Sequence, residues 1–468
     1  MENNKLKRGQ ELELNISDIA FGGKGISKLN DQVFFVKDAI PNQKIIARIS
    51  KVKKNYVEAY KVETLKQSKD EIDPKCNHFK YCGGCTLQQL NYEKQVYYKQ
   101  QQVYDILSKI GEIKNPKIND IIPCDKTFNY RNKMEYTFSN NPWYIDDETY
   151  DDVIIGLHVP KRFDKILSID KCYINDPIFN ELNNSIKKKT NELKLEPYDV
   201  RKHVGFLRFL VLRIGAHTGE VMVNLVTSGY KPKLIEPIKN LIIDEFPNVK
   251  SIVNTINANK NNTATGNTKL IFGENYINEK IGDYIFKVSS NSFFQTNSYQ
   301  VKTLYDYIIK TAKFKKSDIV YDLYCGTGTI GIYISSFVKK VYGIELVEDA
   351  IKDAKFNAKT NGVKNAYFYA SDIKDFFIES KKEIEKPDTV ILDPPRPGLH
   401  PNVIKDIITL SPTKVVYVSC NPSTQARDVN ILIEHKYKIV DIQPIDMFPH
   451  TPHIECIITL KIKYSYLK

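Results

Sequence analysis

From Ser317 onward, short apolar stretches alternate with helical segments, and a chemically distinctive turn follows each stretch. The stretches are DIVYDLYCG, KVYGIEL, NAYFYASDI, DTVILDPP, KVVYVSCNP and IECIITLKI. This alternation predicts an α/β fold built on a doubly wound parallel sheet. Sheets of this kind bind ligands beyond the carboxyl ends of their strands, and each motif below falls at such an end.

In YDLYCGTGTIG, Gly326, Gly328 and Gly331 spell G-x-G-x-x-G directly after a strand. Glycines allow a tight turn and close backbone approach to a ligand, and the following helix N-terminus favours polar groups. Glu345 ends the next strand at the spacing that suits ribose hydroxyls. This pattern serves NAD as well as S-adenosylmethionine. No Gly-Lys-Ser/Thr follows, which excludes a Walker loop. DTVILDPPRPGLH places Asp393 at another strand end, before two prolines that stiffen the loop. Asp-Pro-Pro-aromatic is the pattern of methyltransferases that act on exocyclic amines. Arg396 in the fourth position argues for a different target atom, with a plain surface turn as the alternative.

VVYVSCNPSTQARD ends its strand on Cys420. A strand cysteine is ordinarily a small core residue. Beside a methyl-transfer site it has another use. Carbon 5 of a pyrimidine is a poor nucleophile until a thiolate attacks carbon 6, and a base must later remove the carbon 5 proton. Glu455, at the start of the last strand, is the candidate base. His450, His453 and Glu455 could instead hold a metal, but their spacing matches no H-E-x-x-H helix.

The preceding residues read differently. Five short alternating strands between about Gly9 and Glu63 suggest an oligonucleotide-binding type of β-barrel with a lysine-rich surface. After a polar linker, Cys76, Cys82 and Cys85 form C-x5-C-G-G-C, followed by a helical pattern from Tyr92 to Ile110. The fourth ligand of such a set is Cys172 or, less suitably, Cys124, and by chemistry alone zinc and an iron-sulfur cluster both accept four thiolates. The region from about Pro116 to Gly282 mixes strands and helices and carries an acidic, aromatic insertion, WYIDDETYDD. Three domains are expected, over 1–64, 65–282 and 283–468, with the Tyr92 to Ile110 helix packing on the last. The 468 residues carry a net charge of +12, which suits an acidic partner such as nucleic acid. The opening residues lack the apolar core of a signal peptide, and no apolar run is long enough to span a bilayer, so a cytoplasmic protein without a membrane partner is expected. No obligate protein partner is indicated.

DLYCGTGTIG, DPPRPG, VSCNP and PHTPHIECI, in this order, together with SNSFFQTN, resemble the RNA uracil-5-methyltransferase family. The resemblance implies a Rossmann-like methyltransferase domain in which Gln295, Tyr324, Glu345 and Asp393 contact S-adenosylmethionine, with Gly326 in the glycine loop and Asp372 near the adenine. It makes Cys420 the nucleophile and Glu455 the base, and lets Phe293 or Phe294 stack on the target base. Thr329 stands where many relatives carry Asn. The resemblance also implies a TRAM domain at the N-terminus and a 4Fe-4S cluster on Cys76, Cys82, Cys85 and Cys172. Barrel and cluster together favour 23S ribosomal RNA over transfer RNA. Arg131, Lys133, Arg208 and Arg213 are candidate phosphate or base contacts. Two other classes compete: a nicotinamide oxidoreductase, which leaves DPPR and SCNP without purpose, and a non-catalytic RNA-binding protein.

Overall fold

The computed structural model describes residues 6–145, 150–379 and 384–463, so residues 146–149 of the acidic insertion lie outside it. Six strands come first: β1 (Glu11–Asn15), β2 (Asp18–Ile19), β3 (Gly25–Leu29), β4 (Gln32–Lys37), β5 (Lys44–Val52) and β6 (Tyr56–Lys66). They form one sheet in the order β1-β5-β6-β4-β3-β2, with β1 approaching β3 across the open side. Alternating residues such as Leu14, Phe34, Val36, Ile45, Ala47, Ile49 and Val57 fill its interior. The first expected strand breaks in two, because Ile16 and Ser17 turn away to bond Gln43 and Ile26.

Helix α1 (Tyr92–Lys109) follows, capped by Asn91, whose side chain accepts from Lys94 N. Its buried face differs from the apolar stripe read in the sequence. Val103, Ile106 and Leu107 are buried, but Ile110 is exposed, the first half buries Gln95 and Lys99, and Gln102 is buried beside Val103. The apolar half packs against helix α9 (Pro422–His435), far along the chain.

The central sheet holds β7 (Lys133–Ser139), β8 (Ile154–His158), β9 (Ile166–Ser168), β10 (Leu207–Ile214), β11 (Val221–Thr227), β12 (Val249–Ile256) and β13 (Asn267–Gly273). Its order is β13-β12-β11-β10-β7-β8-β9, and only β11 and β12 run parallel. Helices α2 (Pro177–Glu192) and α3 (Pro232–Glu245) contribute Phe179, Leu182, Ile186, Ile235, Ile238 and Ile242 to its core. A hairpin follows, β14 (Tyr276–Ile281) with β15 (Tyr284–Ser289), turning at Gly282. β14 leans on β11 and β12 of the central sheet.

The last sheet alternates strands and helices: α4 (Ser298–Ala312), β16 (Ile319–Leu323), α5 (Thr329–Ile334), β17 (Lys340–Glu345), α6 (Glu348–Thr360), β18 (Ala366–Ala370), α7 (Ile373–Glu379), β19 (Thr389–Leu392), α8 (Pro401–Leu410), β20 (Lys414–Ser419), α9, β21 (Tyr437–Ile445) and β22 (Glu455–Ile462). Its order is β18-β17-β16-β19-β20-β22-β21, parallel except for β22, which runs against both neighbours. The strand order reverses between β16 and β19, the position where such sheets open a crevice. Helix α6 also supports β15 of the hairpin.

Two of the four basic residues named as RNA contacts are structural instead. Arg208 is 2% exposed and donates to the carbonyls of Asn257, Asn259 and Asn261, which it gathers into a loop. Arg213 is 5% exposed and donates to the carbonyls of Ser290 and Ser292. Lys133 is half-buried, and burial together with the charge of Arg213 pushes it down to about 8. An unpaired buried acceptor costs about 1–3 kcal/mol. Replacing Arg208 with Met strands three carbonyls and is expected to destabilise the central sheet by about 2–4 kcal/mol. A lowered urea midpoint for that transition is the outcome to look for; an unchanged midpoint would mean that the guanidinium serves another purpose.

Candidate active site

The carboxyl ends of the last sheet's strands surround one cavity of about 780 Å³. Register explains why. Leu323 pairs with Ile344 on one side and Leu392 on the other, so Tyr324, Glu345 and Asp393 emerge side by side one residue later. All three line the cavity, as do Gln295, Gly326 and Asp372. Glu345 is fixed by two backbone donors, Gly326 N at 3.2 Å and Val347 N at 3.1 Å. Asp372 accepts from Lys374 N at 2.9 Å, which leaves it at the start of α7. Gln295 Nε2 lies 3.5 Å from Asp393 Oδ2.

The turn after β16 is built for close approach. Tyr324 adopts φ 64°, a left-handed conformation that a residue with a side chain seldom takes. Gly326 also has positive φ, and a Cβ there would meet nothing within 4 Å. Gly328 is required for packing, since a Cβ would come within 2.8 Å of the Phe368 ring. Thr329 shares a 2.7 Å hydrogen bond with Tyr305.

On the opposite wall, β20 and β22 are antiparallel neighbours, and their last pair is Ser419 with Cys456. The next pair in that register is Cys420 with Glu455. Directly opposed residues in such a ladder lie about 4.5–5.5 Å apart between Cα atoms. Both line the same cavity. Burial, and then the charge of Asp393, hold the Glu455 carboxyl well above the usual carboxylate range. Asp393 itself is pushed up to about 7 by desolvation. The Cys420 thiol is pushed up to about 11 by burial and by Glu455 and Asp393, against the opposing influence of the Arg396 guanidinium nearby.

Arg396 also lies 3.3 Å from His453 Nε2, and its backbone carbonyl accepts from Asn421 Nδ2 and Thr424 Oγ1. His453 lines the cavity but is pushed down to about 4 by burial and by the cations Arg396, Lys99 and Arg131, so its ring is neutral. His450 does not join it. It is buried outside the cavity, its ring stacked on Phe128 at 4.2 Å. The metal alternative on His450, His453 and Glu455 therefore has no common centre.

Phe293 and Phe294 part company as well. Phe294 is buried near Phe286, whereas Phe293 is 67% exposed at the cavity mouth. Of the four basic candidates, only Arg131 reaches the cavity. The sequence reading missed Lys99 and Gln95 of α1, whose place beneath this site is described below. Nothing local to that helix marks them, because the partner of Lys99 lies 347 positions away.

The four thiols of the cysteine set lie within electrostatic reach of one another. Charge on Cys172 raises Cys76, Cys82 and Cys85, after the larger effect of burial, which pushes Cys82 up to about 12. Gly84 N donates to Cys82 Sγ at 3.4 Å, and nearby groups of His78, Gln88, and Ile174 with Asn175 pull Cys76, Cys85 and Cys172 down against burial. Cys124 stands apart, with Asn297 Nδ2 at 3.5 Å and Lys126 O at 3.3 Å. Among the described residues, no group of three or more Cys, His, Asp or Glu side chains converges as tightly as a single metal ion needs.

The reversed seventh strand and a crevice at the switch point define the class, a Rossmann-like methyltransferase domain carried with a small β-barrel and a central mixed sheet. Comparison with known proteins agrees. The profile of the tRNA (Uracil-5-)-methyltransferase family matches residues 248–463, and that of the TRAM domain matches residues 5–62. An uncharacterized RNA methyltransferase of Chlorobaculum tepidum is 38% identical over 97% of this chain and 96% of its own. Another, of Bacteroides thetaiotaomicron, is 40% identical over 95% of this chain and 100% of its own. The crystal structure of Pyrococcus abyssi tRNA (uracil-54, C5)-methyltransferase in complex with S-adenosyl-L-homocysteine superposes with a TM-score of 0.76 at 31% identity, covering 96% of this chain and 100% of that one. The chain belongs to the tRNA (uracil-5-)-methyltransferase family, and it is an RNA methyltransferase that depends on S-adenosylmethionine. A nicotinamide oxidoreductase and a non-catalytic binder are thereby set aside. No helix among the described residues is long and apolar enough to cross a membrane.

The thiolate fraction of a thiol below its pKa rises tenfold per pH unit. Alkylation of Cys420, followed on its peptide by mass spectrometry, should therefore climb with pH toward about 11. Arg396→Met removes the cation that lowers this value, and should slow alkylation at pH 8 by about tenfold for each unit of upward shift. An unchanged rate would place the guanidinium out of reach of the sulfur.

Proposed function

We propose that the protein methylates carbon 5 of a uridine in RNA through a covalent adduct on Cys420, with Glu455 as the base. The observation that carries this reading is the register of β20 and β22, which makes Cys420 and Glu455 opposed neighbours on the wall of one cavity. Gln295, Tyr324, Glu345 and Asp393, with Gly326 and Asp372, hold S-adenosylmethionine on the other wall. The open space over Gly326 and the carboxylate of Glu345 fit an adenosyl group there. S-adenosylmethionine supplies an electrophilic methyl group when bound.

The residues act in order. Cys420, as thiolate, forms a bond from its sulfur to carbon 6 of the uracil and pushes the electron pair of the 5,6 double bond onto carbon 5 and the carbonyl. The resulting enolate would form its bond from carbon 5 to the methyl group as the bond from that methyl to the sulfonium sulfur breaks, which leaves S-adenosylhomocysteine. Glu455, as carboxylate, then accepts the carbon 5 proton while the carbon–sulfur bond breaks, which restores the double bond and the thiolate. Phe293, exposed at the mouth, stacks on the base, which must leave its own stack to reach the sulfur. Arg396 balances the charge on Cys420.

The RNA is 23S ribosomal RNA in this reading, on the strength of a barrel and a cysteine set in one chain. Transfer RNA is the second reading, and the Pyrococcus abyssi structure favours it. That protein is a transfer RNA (uracil-54, C5)-methyltransferase covered along its whole length, and 96% coverage of this chain leaves too few residues to omit the barrel. The barrel alone therefore does not separate the two substrates.

The same reading gives Cys76, Cys82, Cys85 and Cys172 a 4Fe-4S cluster. In support stand four thiols close enough to sense one another's charge, with nearby backbone or amide groups that favour the thiolate form at each of them against the larger opposing effect of burial. Anaerobically purified protein should contain iron and sulfide in equal amounts, lost in Cys172→Ala and kept in Cys124→Ala. Zinc in their place, or loss on the second substitution only, would correct the assignment.

The reaction is tested with 23S ribosomal RNA and transfer RNA carrying 5-fluorouridine, where fluorine cannot leave as a proton. Wild type should form an adduct stable to denaturing gels with one of the two, and Cys420→Ala should form none. An adduct with transfer RNA alone would retain the mechanism and replace the substrate. No adduct with either would remove Cys420 from the chemistry.

A further inference from the structure

Glu455 enters its strand from the loop 446–454, which joins β21 to β22 and carries the cavity residues Phe448 and His453. Most of this loop is buried: Asp446, Met447, His450, Thr451 and Ile454 are each less than a twentieth exposed. At its centre, His450 takes φ 65°, the left-handed region that a residue with a side chain rarely adopts. Such a conformation persists only where surrounding contacts over-determine it. Here they come from a distant part of the chain.

Thr86 N and Leu87 N, next after Cys85, both donate to the carbonyl of His450 at 3.0 Å. Gln95 of α1 grips the same residue by both ends. Its Oε1 accepts from His450 N at 2.9 Å, and its Nε2 lies 3.1 Å from His450 Nδ1 while reaching the carbonyls of Leu87 and Leu90. One turn on, Lys99 forms a buried ion pair with Asp446, at 2.7 Å and side-chain exposures of 1% and 0%. Its ammonium also donates to the carbonyl of Phe448 at 3.0 Å. Tyr92 OH donates to the other oxygen of Asp446, and Tyr130 OH to the carbonyl of Pro449.

Bonds of this number, most of them charged or buried, exceed what docking a helix onto the sheet requires. The apolar half of α1 already docks through Val103, Ile106 and Leu107. The polar half spends its buried face on one loop. We infer that Gln95 and Lys99 are positioning residues for methyl transfer: they hold loop 446–454 in its left-handed turn at His450 and so keep Glu455 and His453 facing Cys420. The inference rests on the proposed role of Glu455 and adds what fixes that residue in place. Because Thr86 and Leu87 share the clamp, the cysteine loop is continuous with it.

Loosening the loop should slow proton removal more than the earlier steps, so the covalent adduct should accumulate on ordinary, unfluorinated RNA. Gln95→Leu is expected to lower kcat by at least tenfold, leave the S-adenosylmethionine Kd within twofold, and raise the adduct fraction on a denaturing gel. A general weakening of the fold would lower cofactor binding and active protein together and would build no adduct. Should Gln95→Leu fail to fold, Gln95→Asn, the same amide one methylene shorter, carries the same expectation. Lys99→Arg, which keeps the charge, should lose less activity than Lys99→Met. A kcat within threefold of wild type, or a lower kcat without added adduct, overturns the inference. Glu455→Gln run alongside separates the two readings: adduct there but not in Gln95→Leu leaves the base in place and removes the clamp, whereas adduct in neither removes the base and the clamp with it.

Discussion

The site depends on one strand running backwards. β22 is inserted between β20 and β21 against the direction of both, and its amino end therefore lies beside the carboxyl end of β20. In a wholly parallel sheet the residue beside Cys420 would belong to another carboxyl end, like those that form the cofactor wall. Reversal brings instead the first residue of a strand and the loop that feeds it. The sheet thus brings two kinds of backbone to one edge: strand ends that present Tyr324, Glu345 and Asp393, and a strand start that delivers a carboxylate. A one-residue slip in that pairing would turn Glu455 to the other face of the sheet.

Delivery from a loop creates a difficulty, because loops are ordinarily mobile and carry unsatisfied backbone. Loop 446–454 is buried, and its polar groups are answered by elements that precede the catalytic sheet by hundreds of residues. The barrel joins the same junction. A Cβ at Gly23, whose φ is positive, would come within 2.6 Å of Thr86 Oγ1 and 3.5 Å of the Pro452 side chain. Gln102 of α1 donates to the carbonyl of Ile19 in β2. The glycine turn of the barrel, the cysteine loop and the loop before Glu455 therefore pack in one place, which ties the three parts of the chain together at the active site.

What could be read from the sequence followed from where polar residues interrupt apolar runs. A polar residue at the end of a buried strand has one place to go, so Glu345, Asp393 and Cys420 declared themselves, and register then set them around one cavity. Polar residues inside an amphipathic pattern carry no such information. Lys99 looked like a break in the stripe of α1, and its partner Asp446 is 347 positions away. Arginine was ambiguous for a different reason. Arg208 and Arg213 sit in β10 among apolar residues, where each guanidinium binds carbonyls rather than phosphates, and local sequence does not distinguish the two uses. The Phe293–Phe294 pair shows the same limit, since both line the cavity and only packing decides which of them is exposed.

The fourth residue of Asp-Pro-Pro-Arg acquires a physical reason from the charges around the thiol. Cys420 faces two carboxyl groups, Asp393 and Glu455, in a desolvated wall, and both oppose its ionisation. His453 cannot offset them, because burial and the nearby cations keep its ring neutral. Arg396 remains as the cation that acts on the sulfur. Its backbone carbonyl accepts from Asn421, the residue after Cys420 and the cap of α9, and from Thr424 in the first turn of that helix, so thiol and counter-charge are held by one piece of structure. An aromatic residue in that position would stack on a base but leave the thiol without a positive neighbour. For the ring-carbon target proposed above, which is reached through a thiolate, Arg396 supplies the positive neighbour that an aromatic residue would not.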